Sequence, residues 1–343
     1  MAPFYEHACA ELRWGAPDAS KLSLMRARNS ARLAELRAAV EDAEANAGET
    51  EVRDAALAVA DHLGRVGDRP GAAAAYADAE GRTSSCGAKA DMLFSQARLA
   101  ILYSDWPRVA ALLARARAAC EAPGGDWEHK NRLKVYEAAL AMYRRDLARA
   151  ADLLLDATAT FTTGELFPYG LCVAYASACA AVALDRVSLK RRVLDSPEVL
   201  ATIHEHPDLE LLVNALHACR YGDFFRAFVG AADFVRGDLF LSAHARYYQR
   251  ELRLVAYAQF LEAYKSVTLD SMAAAFGVRP EFLDDDLAGF IVAGRLPAVI
   301  DRVSGVVATR RPSTKNALFA EAIRKGDLLL NRVQKLARVI DVE

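Results

Sequence analysis

From about residue 22 to residue 265, apolar residues recur at helical spacing, and the pattern breaks at regular points. Strand-like alternation is almost absent from this stretch. Residues 51–83 (EVRDAALAVADHLGRVGDRPGAAAAYADAEGRT) read as helix, turn at Gly67-Asp68, helix. Residues 90–120 repeat that plan around Ser104-Asp105, and residues 132–161 around Asp146. Small residues sit where paired helices would touch: Ala72 to Ala75, Ala148, Ala150 and Ala151. One helical hairpin cannot bury its own apolar face, so such units must stack. The expectation is an all-α solenoid of hairpins of the tetratricopeptide kind, without that repeat's full consensus.

The boundaries follow from the punctuation. Residues 1–50 read as lead-in helices and 51–265 as the solenoid. Its later part is broken at Ser196-Pro197, His206-Pro207, Tyr221-Gly222 and Gly237-Asp238. APGGD at 122–126 is a loop, and a long helix is expected over 240–265. No linker rich in Gly, Ser or Pro follows it, so the next unit should pack rigidly on the solenoid.

That unit, residues 266–311, reads as a winged helix. SVTLDSMAAAFGV gives a first helix and a turn at Gly277-Val278. RPEFLDDDLAGFIVAGRL starts a second helix at Pro280 and ends it before Gly294, the usual placement of both residues. Two short β-prone runs, Val299-Ile300 and Val306-Val307, flank Ser304-Gly305. Residues 312–343 then form a long terminal helix. Ile323, Leu330, Val333, Ala337 and Ile340 lie close to a heptad seam, interrupted at Gly326. Such a stripe either folds back on its own winged helix or joins helices of other subunits.

Charge separates the function classes. In a DNA-reading winged helix the second helix enters the major groove. Here it carries Glu281, Asp284, Asp285 and Asp286, and no cation before Arg295. Those carboxylates repel phosphate, the main source of affinity for nucleic acid. The expectation is a protein-docking wing, with a solvated acidic face on this helix. Pairing through an exposed strand edge is placed on Val299, Ile300 and Asp301 and on Val306, Val307 and Ala308. A net charge of −2 attracts neither nucleic acid nor an anionic membrane. The uncharged run 166–184 leaves about 14 helical residues after Pro168 and Gly170, short of the roughly 20 a span needs. The cations of the last helix, Arg324, Lys325, Arg332, Lys335 and Arg338, suit a helix C-terminus without any nucleic acid.

Chemistry-bearing motifs are sparse. His204-Glu205-His206 offers two metal-ligand types without a third, and reads as a polar loop. No phosphate-binding glycine loop and no nucleophile elbow occurs. The six cysteines are scattered without a C-x-x-C pair, which fits a reducing compartment. Asn131 is placed as a helix cap, and Tyr247-Tyr248 beside Arg246 and Arg250 as core packing with a basic edge. The start, MAPFYEHACAELRW, has neither the basic nor the apolar region of a signal peptide. The expectation is a protein with no catalytic, cofactor or metal residues.

A helical array joined to a winged helix and a tail helix resembles the PCI architecture. Particular segments narrow the likeness: FYEHACAELRW (4–14), GETEVRDA (48–55), GGDWEHKNRLKVY (124–136), FTTGELFPY (161–169), AFGVRPEFLDDDLAGFIVAGRL (275–296) and RKGDLLLNRVQKLARVID (324–341). Together they resemble the family of non-ATPase regulatory subunit 6 of the 26S proteasome, over nearly the whole chain. Family members carry a further segment before the FYE-like start, so its contacts are not carried over.

The resemblance implies a non-catalytic scaffold of the proteasome lid, cytoplasmic and nuclear. The wing would pair edge to edge with other PCI subunits. Ile323, Leu330, Val333 and Ile340 would pack in a helix bundle, and the solenoid would face the ATPase base. Nucleic acid, membrane and cofactors have no part in it. The alternatives are a PCI scaffold like subunit 1 of the COP9 signalosome, which a longer tail would favour, and an RNA-binding initiation-complex subunit, which a basic groove would favour.

Overall fold

The computed structural model describes residues 1–11, 15–122, 126–310 and 314–340. Two helices lead in, α1 (Ala2–Glu11) and α2 (Ala19–Asn46). Three hairpins follow: α3 (Glu49–Val66) with α4 (Arg69–Gly81), α5 (Cys86–Leu102) with α6 (Trp106–Glu121), and α7 (Trp127–Tyr143) with α8 (Leu147–Ala157). Next comes α9 (Tyr169–Ala183). Two single turns, α10 (Arg186–Leu189) and α11 (Pro197–Leu200), bracket a π-helical turn at Lys190–Leu194. A fourth hairpin, α12 (Pro207–His217) with α13 (Tyr221–Gly237), leads to α14 (Ala245–Ala263). Then come β1 (Ser266–Thr268), α15 (Leu269–Phe276), α16 (Pro280–Val292), β2 (Ala298–Asp301), β3 (Val306–Thr309) and the terminal α17 (Thr314–Ile340).

One local device makes all four hairpins. Gly67, Ser104, Arg145 and Cys219 each adopt a positive φ just past their first helix. The next amide then reaches back five residues: Asp68 to Leu63, Asp105 to Ala100, Asp146 to Ala141 and Arg220 to Ala215, at 2.9–3.1 Å. This ending satisfies carbonyls that the helix itself leaves unpaired. In the first three turns the following aspartate caps the second helix, accepting from the amides of Gly71, Arg108 and Arg149. In the fourth, Arg220 stands at that position and makes no side-chain cap bond. The break expected at Tyr221-Gly222 therefore falls earlier, because the αL residue is Cys219 and Tyr221 already begins α13.

Gly67 has a second reason to be glycine. A Cβ there would lie 2.9 Å from Cβ of Phe4 and 3.1 Å from the Tyr103 hydroxyl, which donates to the Gly67 carbonyl. Lead-in helix α1 thus docks on the first turn. Ser104, by contrast, is exposed and carries an unfavourable φ of 54°. Ser104→Gly is expected to stabilise the chain by about 0.5–1 kcal/mol, read as a shift in the urea midpoint at unchanged slope.

Several expectations need correction. Ala74 and Ala148 are exposed, whereas Ala72, Ala150 and Ala151 are fully buried between helices. Asn131 caps nothing: α7 begins at Trp127, and Asn131 is buried within it, donating to Oγ1 of Thr160 at 2.8 Å. The helix expected from residue 240 begins at Ala245. The Asp238 carboxylate instead holds residues 240–244 in a tight turn, accepting from the amides of Phe240 and Leu241 at 2.7 and 2.8 Å. The centre of the expected loop at 122–126 lies outside the described residues.

The uncharged run forms α9, and ten consecutive residues, Cys172 to Ala181, are buried. Small side chains on all sides let neighbouring helices close around it. Burial pushes the thiols of Cys172 and Cys179 up to about 12, so both behave as apolar fillers. Tyr248 is buried and its hydroxyl donates to the Ala178 carbonyl, while Tyr247 is flanked by Arg145 and Arg250. Among the described residues no helix is long and apolar enough to cross a membrane. One continuous core runs from Ala90 in the second hairpin to Val307 in β3, so solenoid and winged helix share buried side chains. A smaller cluster around Ala60 and Tyr76 fills the first hairpin.

Candidate docking surfaces

The wing is a three-stranded antiparallel sheet in the order β1-β3-β2. Only β2 and β3 stand out in the sequence as β-prone runs. The missed β1 is three residues long, and Thr268 ends it and caps α15 through its side chain. Its signal was the β-branched pair Val267 and Thr268 just ahead of a helix.

This order corrects half of the edge assignment. β3 pairs with β1 (Val267 opposite Val307) and with β2 (Ile300 opposite Val307), so its backbone is engaged on both sides. Val306, Val307 and Ala308 cannot offer an edge, and Val307 is fully buried. The outer side of β2 remains, with Val299 and Asp301 exposed and Ile300 half-buried. Alternate residues of an edge strand turn N–H and C=O groups outward. The tip beyond it is held by the Asp301 carboxylate, which accepts from the amides of Val303 and Ser304 and from the Ser304 hydroxyl. Those bonds keep the carboxyl below its ordinary value. Val303 projects fully into solvent.

The acidic second helix is not the solvated face that was expected. Asp286 points inward, accepting from Nε and Nη2 of Arg253 at 2.8 and 3.1 Å and from the Tyr257 hydroxyl at 3.1 Å. Asp284 pairs with Arg302 at 2.9 Å, tying α16 to the wing tip, and Asp285 alone of the three is exposed. Just past α16, Arg295 reaches the buried Glu251 of α14 at 2.6 Å. Between these ion pairs, Tyr221, Tyr257, Phe260, Phe276 and Phe290 form a run of ring contacts. The winged helix is thereby bolted to the last solenoid helix. Sequence alone gave no sign that Arg253 and Asp286, 33 residues apart, would meet.

Helix α17 is the opposite case. Leu318, Phe319, Ile323, Leu329, Leu330, Val333, Leu336 and Ile340 are all exposed, Leu330 at 59%. The tail does not fold back on its own winged helix. At ~100° per residue these side chains, with Ala322 and Ala337, fill an arc of roughly 140°. That is wider than a two-stranded seam: Leu318, Leu329 and Leu336 lie beside the heptad positions, and Phe319, seven residues before Gly326, extends the seam itself.

Elsewhere the polar groups serve the frame. Arg132 joins Asp91 and Glu165 at 2.5 and 2.7 Å and lies over the Phe94 ring, linking the second and third hairpins to the loop before α9. An open cleft of about 1240 Å³ lies between α10, the start of α13, α14 and the Leu296-Pro297 link ahead of β2. Its polar groups hold its walls: Gln259 donates to the Leu216 carbonyl and to Sγ of Cys219, and Arg186 donates to the His217 carbonyl. His204, Glu205 and His206 lie in and beside a 3₁₀ turn, where the His206 ring packs on Phe234. No group of three or more metal-ligand side chains occurs among the described residues.

A stacked-hairpin solenoid sharing its core with a winged helix defines a PCI-type protein, and residues 231–311 match the PCI domain family. Residues 18–192 match the family described as 26S proteasome subunit RPN7, and residues 320–340 match the C-terminal helix of 26S proteasome regulatory subunit RPN7/PSMD6. The chain is 46% identical over 342 residues to a 26S proteasome non-ATPase regulatory subunit 6 homolog of Arabidopsis thaliana, spanning 100% of this chain and 88% of the relative. It is 42% identical to the 26S proteasome regulatory subunit rpn7 of Schizosaccharomyces pombe, covering 98% of this chain and 86% of that one. Against the 26S proteasome regulatory subunit RPN7 of Saccharomyces cerevisiae the identity is 34%, over 99% and 85% of the two chains. The chain belongs to the family of 26S proteasome non-ATPase regulatory subunit 6. These likenesses favour the proteasome over the signalosome and initiation-complex readings.

Proposed function

We propose that this chain is a non-catalytic scaffold of the lid of the proteasome regulatory particle, acting in the cytoplasm and nucleus in degradation of ubiquitinated proteins. The observation that carries the reading is α17, a 27-residue helix whose whole apolar face is exposed. A helix gains most of its stability from packing an amphipathic face, so this one is built to be completed by a partner. Its occupants are helices of other lid subunits, packing on Ile323, Leu330, Val333 and Ile340 together with Leu318, Phe319, Leu329 and Leu336. The second contact is strand addition at Val299, Ile300 and Asp301 by the wing of a neighbouring PCI subunit. The solenoid, residues 51–265, turns toward the ATPase base. Residues 266–311 act as the docking wing and 312–343 as the bundle helix.

A tagged chain purified from its native cells at moderate salt tests this. Recovery of lid subunits with the ATPase ring and core particle supports it, and recovery of signalosome or ribosomal partners alone overturns it. Val299→Lys examines the wing separately. Lysine on an edge strand opposes strand addition, while the free chain should change by less than about 0.5 kcal/mol. The expected result is an unchanged melting curve with weakened capture of one neighbouring subunit. Undiminished capture would remove β2 from the interface.

A further inference from the structure

We propose that one border of the α17 face is covered by an acidic helix of another subunit, with Asp or Glu recurring every seven residues. This rests on the bundle reading above and specifies the chemistry of one occupant.

The two borders of the apolar arc differ. Beside Leu318, Leu329 and Leu336 stand Lys325 and Arg332, seven residues apart and therefore at the same heptad position. Beside Ile323 and Leu330, on the other side, stand Asp327 and Gln334, also seven apart. Flanking positions of a helix seam choose partner and orientation through charge. A cationic border next to buried leucines calls for carboxylates at the matching spacing.

Lys325 at present pairs with Glu321 at 2.8 Å, but both are exposed, and such a pair within one helix is readily exchanged. Arg332 has no ion pair among the described residues. A second copy of this chain is a poor occupant: from Leu318 to Ile340 the helix carries Arg324, Lys325, Arg332, Lys335 and Arg338 against Glu321 and Asp327, so two copies repel. An anionic lipid surface fits no better, since a helix lying in that plane needs cations along both borders.

The test uses the assembled regulatory particle and a carbodiimide, which couples an amine directly to a touching carboxylate. The expected product joins Lys325 to an Asp or Glu on a helix of another subunit, with none from Lys335, which faces away from the arc. Coupling of Lys325 only to its own Glu321, no coupling at all, or equal coupling of Lys325 and Lys335 would overturn the assignment.

Charge reversal gives a second reading in the full chain. Lys325→Glu with Arg332→Glu should lower incorporation about tenfold or more, whereas Arg324→Glu with Lys335→Glu should lower it less than about twofold. Equal effects, or none, would overturn the assignment. If incorporation survives Leu330→Asp, the bundle reading itself fails. If Leu330→Asp blocks it while the border reversal does not, only the acidic neighbour fails.

Discussion

Leu330→Asp is expected to leave the isolated chain as stable as the parent and to exclude it from the lid. In the free chain Leu330 is 59% exposed, and α17 touches no core cluster of the described residues. A surface change of this kind moves stability by less than about 0.5 kcal/mol. In the proposed bundle the same position lies within the apolar arc, toward its Asp327 and Gln334 border. A carboxylate buried there without a partner costs several kcal/mol, on the order of a hundredfold or more in affinity. The measurement is co-migration of tagged chain with the lid on a native gel, beside a thermal melt of the purified chain. A variant that melts normally and still co-migrates would show that α17 is not buried on assembly.

Asp286→Ala has the converse signature: it damages the chain by itself. The Asp286 and Arg253 side chains are 15% and 22% exposed, and Tyr257 donates to the same carboxylate. Burial, reinforced by the neighbouring Asp286 charge, pushes the Tyr257 phenol far up, so it stays a donor. Removing the carboxylate leaves a half-enclosed guanidinium and a buried hydroxyl unanswered. Truncating one partner of an enclosed pair costs about 3 kcal/mol, and the loss falls at the junction of α14 and α16. We expect a lower urea midpoint and faster proteolysis near residues 263–266. A companion Arg253→Ala change should recover part of the stability, because the orphaned charge goes with it. An Asp286→Ala midpoint equal to the parent's would mean that the aromatic contacts alone hold the winged helix.

The helical frame was legible because its turns are local. Gly67-Asp68, Ser104-Asp105 and Asp146 announce both the end of one helix and the cap of the next within two residues. The fourth turn was misplaced because Cys219-Arg220 has neither the glycine nor the aspartate. Pro280, Gly277 and Gly294 likewise mark their helix ends from sequence alone. Strand order is different: nothing local says that β1 pairs with β3, yet that pairing removes Val306 to Ala308 from the candidate edge. The acidic residues of α16 were misread for the same reason, since their partners Arg253 and Arg302 come close only in the fold. The tail face was half legible. Heptad counting found Ile323, Leu330, Val333 and Ile340, but the width of the face appears only when every position of the helix is placed around its axis.

Hydrogen exchange on the isolated chain and on the purified regulatory particle tests the docking account most directly. In the free chain the amides of 318–340 should exchange rapidly, because an unpacked helix is marginal in water, and those of 298–301 that point outward should do the same. In the particle both segments should slow by at least about tenfold, while α9, already enclosed, should not change. Equal exchange of 318–340 in the two states would contradict the account, whatever else the chain binds.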